Sequence, residues 1–274
     1  MNARDPSPAE PASTTAAVPA RERVPDERDR VAGLEKGLAV ITAFDDDHPR
    51  MTMSEVAVAC GLTRAAARRY LLTLEHLGFV RCERKMYSLT PKVLRLAQSY
   101  MSSARLPRIV QPELHRLACT LKEASSAGVL DGDDVLCVAA TNAGRNVSLT
   151  LQPGTRVPAY CTANGRMLVA SLPAAEMHAW VARQSLDALT PGTIASRDAL
   201  LDIVLQARRQ GYATVDQELE VGLRTLSVPL LSYRGDAVAA MNISVHAARM
   251  TMDQLVANCL TPLLQAQSDL RAVL

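Results

Sequence analysis

The stretch "MTMSEVAVACGLTRAAARRYLLTLEHLGFV", residues 51–80, constrains the fold of this chain more than any other segment. Ser54 is a cap residue before a short apolar segment that ends at Gly61, and Thr63 is a cap before a longer one that ends at Gly78. Two capped helices joined by a glycine turn are typical of a helix-turn-helix. The charged hairpin pattern "FVRCERKMYSL" follows directly, so the segment predicts a winged helix-turn-helix.

Basic residues are concentrated in this segment. From Thr63 to Lys92 there are seven Lys or Arg residues against two Glu, whereas the net charge of the whole chain is only +2. Opposite the apolar face of the second helix, a helical wheel places Arg64, Ala65, Arg68, Arg69 and Leu72. A solvated helix face is one interpretation of this pattern. Small residues that admit a helix to the major groove, with arginines that bind phosphate or guanine, favour DNA binding instead.

The predicted DNA-binding residues are Thr63, Arg64, Ala65, Arg68, Arg69, Tyr70, Arg84 and Lys85. Arg84 and Lys85 form the charged tip of the hairpin, from which they can reach phosphate or the minor groove. Leu72 departs from the polar character of this face. Packing beneath the hairpin or contact with a thymine methyl would each accommodate it.

The pattern of composition divides the chain into four parts. Residues 1–29 are rich in Pro, Ala, Ser and charge, and we expect a disordered tail because they cannot bury enough apolar surface to fold. Order begins at "VAGLEKGLAVITAF", where Leu34, Leu38 and Ile41 repeat at helical spacing. The predicted parts are the tail at 1–29, the winged helix-turn-helix at 30–90, a linker helix at 91–106 that Pro107 ends, and an effector-binding domain at 107–274.

The last part mixes strands and helices without the regularity of parallel βαβ units. A hairpin turning at residues 131–134, a strand at 145–151, three helices between 163 and 210, three strands between 212 and 245 and a final helix from Met252 are expected. This pattern favours the α+β class, with an antiparallel sheet and flanking helices.

Three stretches, "LEKGLAVITAF", "MTMSEVAVACGLTRAAARRYLLTLEHLGFV" and "YSLTPKVLRLA", resemble the DNA-binding domain of the IclR family of bacterial transcription regulators. The form "TRAAARRYLLTL" is similar to the branch of that family that controls β-ketoadipate and hydroxybenzoate catabolism, the PcaR, PcaU and PobR types. The resemblance covers residues 31–274. It implies a winged-helix domain, a linker helix, a GAF-like effector domain, and dimers that pair into tetramers.

A ligand site is predicted in the C-terminal part. In "LQPGTRVPAYCTANGRMLVASL" a helix starts near Thr162, and free N–H groups at a helix N-terminus bind a carboxylate well. The resemblance implies that this segment faces "YATVDQELEVGLRTLSVPLL" around a small-molecule pocket. The effector-binding residues so implied are Tyr160, Cys161, Ala163, Asn164, Asp216, Leu223, Thr225, Asn242 and Ser244. Alternatives stay open: Asn164 as part of an ordinary capped helix, Cys161 as a small core residue, and Glu218 with Arg224 as a structural ion pair.

Other classes of function find less support in the sequence. Six cysteines without a C-x-x-C pair argue against a zinc site and a disulfide framework, and they fit reduced thiols in the cytoplasm. Asp216, Glu218 and Glu220 are close in sequence, but five scattered histidines and no nucleophile or phosphate-loop motif leave a hydrolase as a minor alternative. A purely structural nucleoid protein conflicts with the large non-basic second domain. We therefore expect no enzyme activity, no catalytic residues, no metal and no cofactor.

These observations predict a cytoplasmic, ligand-responsive transcription regulator of aromatic-acid catabolic genes. Its expected partners are a double-stranded DNA operator, a small aromatic or ring-cleavage carboxylic acid, and further copies of itself in a homodimer or homotetramer. RNA polymerase is a partner if the regulator is an activator, and no membrane is involved. The alternative is an IclR-type repressor of another carbon-source pathway, such as glyoxylate or sugar acids.

Overall fold

The computed structural model describes residues 27–45, 47–141 and 151–274. The described chain forms two units that divide between Val93 and Leu94. We call them the N-terminal unit and the C-terminal unit. Each has its own buried apolar core, so each is described separately.

The helices and strands described in the N-terminal unit are α1 (Ala32–Thr42), β1 (Met51–Thr52), α2 (Met53–Ala59), α3 (Arg64–His76), β2 (Val80–Glu83) and β3 (Met86–Leu89). The strands form an antiparallel sheet in the order β1-β3-β2. Single 3-10 turns lie at Glu27–Asp29 and Pro91–Val93. The first turn falls inside the predicted tail, whose other residues lie outside the described ranges. Two helices joined by a turn and followed by a hairpin confirm the winged helix-turn-helix.

Side-chain caps set the starts of the two helices of this motif. Thr52 caps α2, because its Oγ1 accepts the Glu55 N–H at 3.3 Å while the Glu55 carboxylate accepts the Thr52 N–H at 2.6 Å. The prediction of Ser54 as this cap was therefore wrong by two residues. A cap residue has an extended backbone, and the pairing of the short strand β1 with β3 gives Thr52 that conformation. Thr63 caps α3 as predicted, and its Oγ1 accepts the N–H of Ala66 at 3.2 Å.

The core of the N-terminal unit draws on all three helices and on the sheet. Its buried members are Val40, Met51, Val56, Ala57, Ala67, Leu71, Leu74, Val80 and Tyr87. Two of the residues that predicted α1 point away from this core, since Leu34 is 63% exposed and Leu38 is 50% exposed. Leu77, which the wheel placed on the packed face of α3, is 46% exposed because the helix has already ended at His76.

The helices described in the C-terminal unit are α4 (Leu94–Ser103), α5 (Arg105–Leu121), α6 (Ala163–Ala170), α7 (Ala174–Arg183), α8 (Arg197–Gln210) and α9 (Met252–Arg271). Its strands are β4 (Ala124–Asp131), β5 (Asp134–Thr141), β6 (Arg156–Pro158), β7 (Ala213–Asp216), β8 (Leu223–Leu231) and β9 (Ala237–His246).

These strands form one antiparallel sheet in the order β6-β5-β4-β9-β8-β7. Helices α5 and α9 cover one face, and α6, α7 and α8 belong to the core on the other. Successive side chains of β9 point to opposite faces of the sheet. Met241 and Ile243 pack in the core with α5 and α9, whereas Asn242 and Ser244 face the side of α6. An antiparallel sheet between helices confirms the predicted α+β class.

Three details of the C-terminal unit differ from expectation or were not anticipated. Pro107 does not end the linker: it lies in the first turn of α5, where a missing N–H removes no helical hydrogen bond, and the chain breaks at Ala104 instead. Strand β6 was not predicted. The expected strand at 145–151 lies outside the described residues except for Leu151, which is not part of a strand.

Candidate functional site

Helix α3 presents a basic face to solvent. Thr63, Arg64, Ala65, Arg68 and Arg69 are all exposed, as predicted for residues that contact DNA. Within the described residues, none of the three arginine side chains forms an ion pair or a hydrogen bond. The small side chain of Ala65 leaves room beside the arginines for a backbone approach. The surface therefore offers three unpaired guanidinium groups, of which Arg64 lies in the first turn of the helix, where polyanions also meet the positive end of the helix dipole.

Tyr70 differs from the other predicted DNA-binding residues. It is only partly exposed and packs against the core of the N-terminal unit. Its hydroxyl lies 4.0 Å from the position that a β-carbon would take at Gly33 of α1. The structure therefore gives Tyr70 a packing role between α1 and α3 and does not place it on the basic face.

The hairpin β2–β3 carries Arg84 and Lys85 at its tip, and both are exposed. Glu83 pairs directly with Met86, so the turn contains only these two residues. Their φ angles are 51° and 67°, the positive values of a type I′ turn, which Asn and Gly adopt far more easily than Arg and Lys. Arg84 and Lys85 thus adopt a backbone conformation that is unfavourable for both residues, at the tip of the hairpin.

A cavity lies between the N-terminus of α6 and the inner face of the sheet. It encloses about 570 Å³, partly open to solvent, of which about 30 Å³ admits the centre of a water molecule. That inner volume is enough for a few waters, and an aromatic ring would require the lining side chains to move. The lining residues are Ser126, Ala127, Gly128, Val135, Cys137, Leu151, Val157, Cys161, Thr162, Ala163, Asn164, Val215, Leu219, Leu223, Thr225, Asn242 and Ser244.

Hydrogen-bond donors gather at the α6 end of this cavity. Thr162 caps α6, and its Oγ1 accepts the N–H of Gly165 at 3.2 Å. The N–H groups of Ala163 and Asn164 have no hydrogen bond to any described residue. The Asn164 Oδ1 accepts from the Ser227 hydroxyl at 2.6 Å, which leaves the Asn164 amide N–H groups directed elsewhere. This end can therefore bind an anion without a cationic side chain.

A buried hydroxyl without a partner marks the floor of the cavity. Thr225 is 8% exposed, and its Oγ1 has no hydrogen bond in the structure. Beside it, the Ser126 hydroxyl donates to Asn242 Oδ1 at 2.6 Å, and Asn242 Nδ2 donates to Ser244 Oγ at 3.2 Å. Ser244 lies directly opposite Thr225 across β8 and β9. A buried hydroxyl that lacks a partner is unfavourable, so Thr225 is the point of this floor that a water molecule or a ligand would stabilise most.

Two thiols also line the cavity. Burial raises the pKa of Cys161 to about 12 and the pKa of Cys137 to about 11. Both thiols are therefore protonated at neutral pH and behave as small apolar side chains, not as nucleophiles.

Two of the residues predicted to bind the effector lie outside this cavity. Tyr160 is buried elsewhere, its hydroxyl donates to the Asp187 carbonyl at 2.7 Å, and burial raises its pKa to about 12. Asp216 forms an ion pair with Arg224 at 2.7 Å, which lowers the pKa of that carboxyl below its usual value. The other seven predicted residues all line the cavity.

The acidic cluster does not form a catalytic centre. Glu218 pairs with Arg166, whose Nη1 lies 2.7 Å from the Glu218 Oε1, and both side chains are buried. The suggested pair of Glu218 with Arg224 was thus wrong in its partners, because Arg224 is taken by Asp216. Asp216 and Glu218 are each held by a different arginine, so these two acids do not converge on a shared point.

Several lining residues were missed from the sequence. Ser126, Gly128, Val135 and Cys137 belong to the hairpin β4–β5, where alternate residues face the cavity. The period-2 alternation of that hairpin could have identified them once the inward face was known. Leu219 gave no such signal because it lies in the turn between β7 and β8.

Family models match both units. One for the IclR helix-turn-helix domain matches residues 33–84, and one for the C-terminal region of the bacterial transcriptional regulator IclR matches residues 98–272. The chain belongs to the IclR family.

Relatives of this IclR-family chain are transcriptional regulators, one of them named for p-hydroxybenzoate hydroxylase. It is 38% identical to the Pca regulon regulatory protein of Pseudomonas putida, over 97% of this chain and 94% of the relative. It is 34% identical to the p-hydroxybenzoate hydroxylase transcriptional activator of Acinetobacter baylyi, over 89% and 92%. A double mutant of the PobR inducer-binding domain from Acinetobacter, in complex with 3-hydroxybenzoic acid, superimposes with a TM-score of 0.58 at 27% identity over 62% of this chain and all of that one.

The IclR assignment makes this protein a DNA-binding transcriptional regulator and not an enzyme, which confirms those two predictions. The helix-turn-helix is the DNA-binding element. Among residues 27–45, 47–141 and 151–274, no helix has the length and apolar character needed to cross a membrane. In the same ranges, no three potential metal ligands cluster.

Proposed function

We propose that this regulator binds its operator through the arginine face of α3 and the hairpin tip, and that a small aromatic carboxylic acid in the cavity of the C-terminal unit controls that binding. The protein has two states that differ in their affinity for the operator, and the effector binds one of these states more tightly. Effector binding therefore changes the affinity for the operator. The observation that carries the effector assignment is the unpartnered Thr225 hydroxyl in a cavity whose other end offers free N–H groups.

The chemistry of the cavity suits an aromatic acid. The carboxylate would accept hydrogen bonds from the N–H groups of Ala163 and Asn164, with the Asn164 side chain beside them. The ring would lie among the aliphatic side chains of Val135, Val157 and Leu223. A ring hydroxyl would find hydrogen-bonding partners on the floor at Thr225 and Ser244. The names of the relatives, which concern protocatechuate-type and hydroxybenzoate metabolism, support the same class of ligand.

The same proposal includes the setting in which the regulator works. The protein acts in the cytoplasm as a homodimer or homotetramer, and two copies of α3 contact two half-sites of the operator. RNA polymerase becomes a partner where the bound regulator activates transcription.

Deletion of the unpartnered Thr225 hydroxyl tests effector binding without lowering the stability of the protein. Thr225→Val deletes a buried group that lacks a hydrogen bond, so the apo protein should be as stable as wild type or more stable. If that hydroxyl meets the effector, the affinity should fall by about tenfold or more, the value of one hydrogen bond to a charged or strongly polar group. Thermal shift with 3- and 4-hydroxybenzoate, protocatechuate and β-ketoadipate identifies the ligand, because binding raises the unfolding midpoint by mass action.

Thr214→Val on the neighbouring strand is the matched control, since Thr214 does not line the cavity. It should bind the identified acid as wild type does. The same acid should change the affinity of the wild-type protein for operator DNA. The proposal is wrong if every carboxylate fails while neutral apolar compounds stabilise the protein, or if Thr225→Val binds the acid unchanged.

A further inference from the structure

An apolar side chain, Leu72, lies next to the arginines on the exposed side of α3. Leu72 is 41% exposed and belongs neither to the core of the N-terminal unit nor to the apolar residues packed against that core. It follows Arg68 and Arg69 by four and three residues, so the three side chains share one side of the helix. His76, one turn further, is exposed on the same side. The neighbours of Leu72 on this side are thus mainly basic, with Glu75 the one acid within a turn of it.

The fold does not account for a leucine at this position. The packed face of α3 is supplied by Ala67, Leu71 and Leu74, all buried. Packing beneath the hairpin, one of the two roles suggested by the sequence, does not occur, because Leu72 is absent from the apolar side chains that pack around β2 and β3. An exposed leucine gains nothing over a polar residue in water, so its value lies in something that covers it.

The dimensions and chemistry of the major groove match this arrangement. From Arg64 to Leu72, α3 rises by about 12 Å at 1.5 Å per residue, which is close to the groove width of about 12 Å. All four base pairs present polar edges in that groove, and the 5-methyl group of thymine is their apolar feature. The arginines that precede Leu72 on α3 supply attraction to the phosphates that would hold the leucine against a base edge.

We propose that Leu72 contacts the 5-methyl group of a thymine in the operator and so determines the base preferred at that position. This inference rests on the proposed DNA-binding function and adds a specific base to it. The arginines supply affinity and guanine recognition, whereas Leu72 distinguishes thymine from cytosine by an apolar contact.

Uracil substitution tests the contact directly, because uracil lacks only the 5-methyl group of thymine. The full-length protein first selects its preferred duplex from a random library, and each thymine of that duplex is then replaced singly by uracil. For the wild type, one replacement per half-site should weaken binding about fourfold, the effect of exposing one buried methyl group. Leu72→Ala should bind the thymine duplex with a similar loss and should no longer distinguish thymine from uracil at that position.

Leu77→Ala is the matched control, since Leu77 is a leucine of similar exposure near the end of the same helix, on another side. It should keep the wild-type sensitivity to every uracil. If Leu72→Ala remains as sensitive to each uracil as the wild type, the inference is wrong while DNA binding by α3 stands. It is also wrong if Leu72→Ala weakens selected and random duplexes equally or dissociates the oligomer, because Leu72 then serves the fold or a second copy of the chain. A wild-type protein that selects no sequence overturns the proposed function itself.

Discussion

Arg84 and Lys85 show how a single turn can hold two cations in an unfavourable backbone conformation. An L-residue in the left-handed region costs about 1–2 kcal/mol relative to its preferred conformation, and this hairpin holds two such residues in succession. Asn-Gly would form the same type I′ turn with little strain. Strained backbone of this kind is tolerated where the side chains are needed, and here both side chains are cations exposed at the tip.

Replacement of this pair should therefore have opposite effects on folding and on DNA binding. The double variant Arg84→Asn, Lys85→Gly should raise the stability of the hairpin by about 1 kcal/mol or more, measured by hydrogen exchange of the β2 and β3 amides. Affinity for all DNA sequences should fall, and the slope of log affinity against log salt should decrease by about one unit per lost phosphate contact. Arg68→Ala should leave stability unchanged and weaken operator DNA more than random DNA. Unchanged DNA affinity in the double variant would remove the hairpin tip from the binding surface.

At the level of elements, the placement of α6 depends on a close backbone contact. A β-carbon on Gly165 would lie 2.1 Å from the carbonyl oxygen of Ala159 and 2.4 Å from its Cα. Only glycine lets the first turn of α6 approach the preceding loop so closely. That approach holds the free N–H groups of Ala163 and Asn164 at the cavity.

Gly165→Ala should destabilise the C-terminal unit by about 3 kcal/mol or more, because backbone and not a flexible side chain must move. The single tryptophan, Trp180, is buried in the same unit, so its fluorescence reports this unfolding transition. Gly37→Ala, in α1 of the N-terminal unit, meets no atom within 4 Å and should leave the Trp180 transition in place. A Gly165→Ala variant with a wild-type midpoint would show that α6 can shift at little cost.

The elements were more predictable than the contacts among them. Caps such as Thr63 and Thr162 and periodic apolar residues act locally, so the helices and most strands could be assigned from the sequence. The position of Asp216 outside the cavity could not be predicted from the sequence. Residues of β7 point alternately to the two faces of the sheet, and Arg224, the partner of Asp216, is on another strand. Tyr70 was counted among the DNA-binding residues as part of the continuous segment 63–70, although a helical wheel places it with Ala67 and Leu71 on the side that packs. The helix start at Thr162 pointed to Ala163 and Asn164, whereas the other five cavity residues were found only through family resemblance. No sequence pattern shows that the Thr225 hydroxyl lacks a hydrogen bond.

At the scale of the whole molecule, the N-terminal unit leaves an apolar stripe uncovered. Val31, Leu34 and Leu38 follow one another at helical spacing along the start and face of α1, with exposed fractions of 67%, 63% and 50%. Together they form a continuous apolar surface that monomeric proteins seldom leave in water. The homodimer proposed above, which two operator half-sites require, would cover this stripe with a second copy of the chain.

The double variant Leu34→Gln, Leu38→Gln removes apolar contact without altering the charge available to DNA. Sedimentation should show a shift toward smaller species, and affinity for a two-half-site operator should fall while binding to one half-site persists. Leu264→Gln, which alters an exposed leucine on α9, is the control for solubility and folding. A double variant that keeps the wild-type oligomeric state would assign the stripe to another partner.

The narrowness of the cavity also determines how the protein can discriminate among ligands. Because its closed volume is about 30 Å³, an aromatic acid would enter only molecules in which some lining side chains have moved aside. The apparent dissociation constant is then the intrinsic constant divided by the fraction of molecules already open. A bulkier ring requires a more widely open form of the protein, which is populated more rarely. Larger acids would therefore bind more weakly because of the free energy needed to deform the protein, even where no side chain contacts the extra substituent.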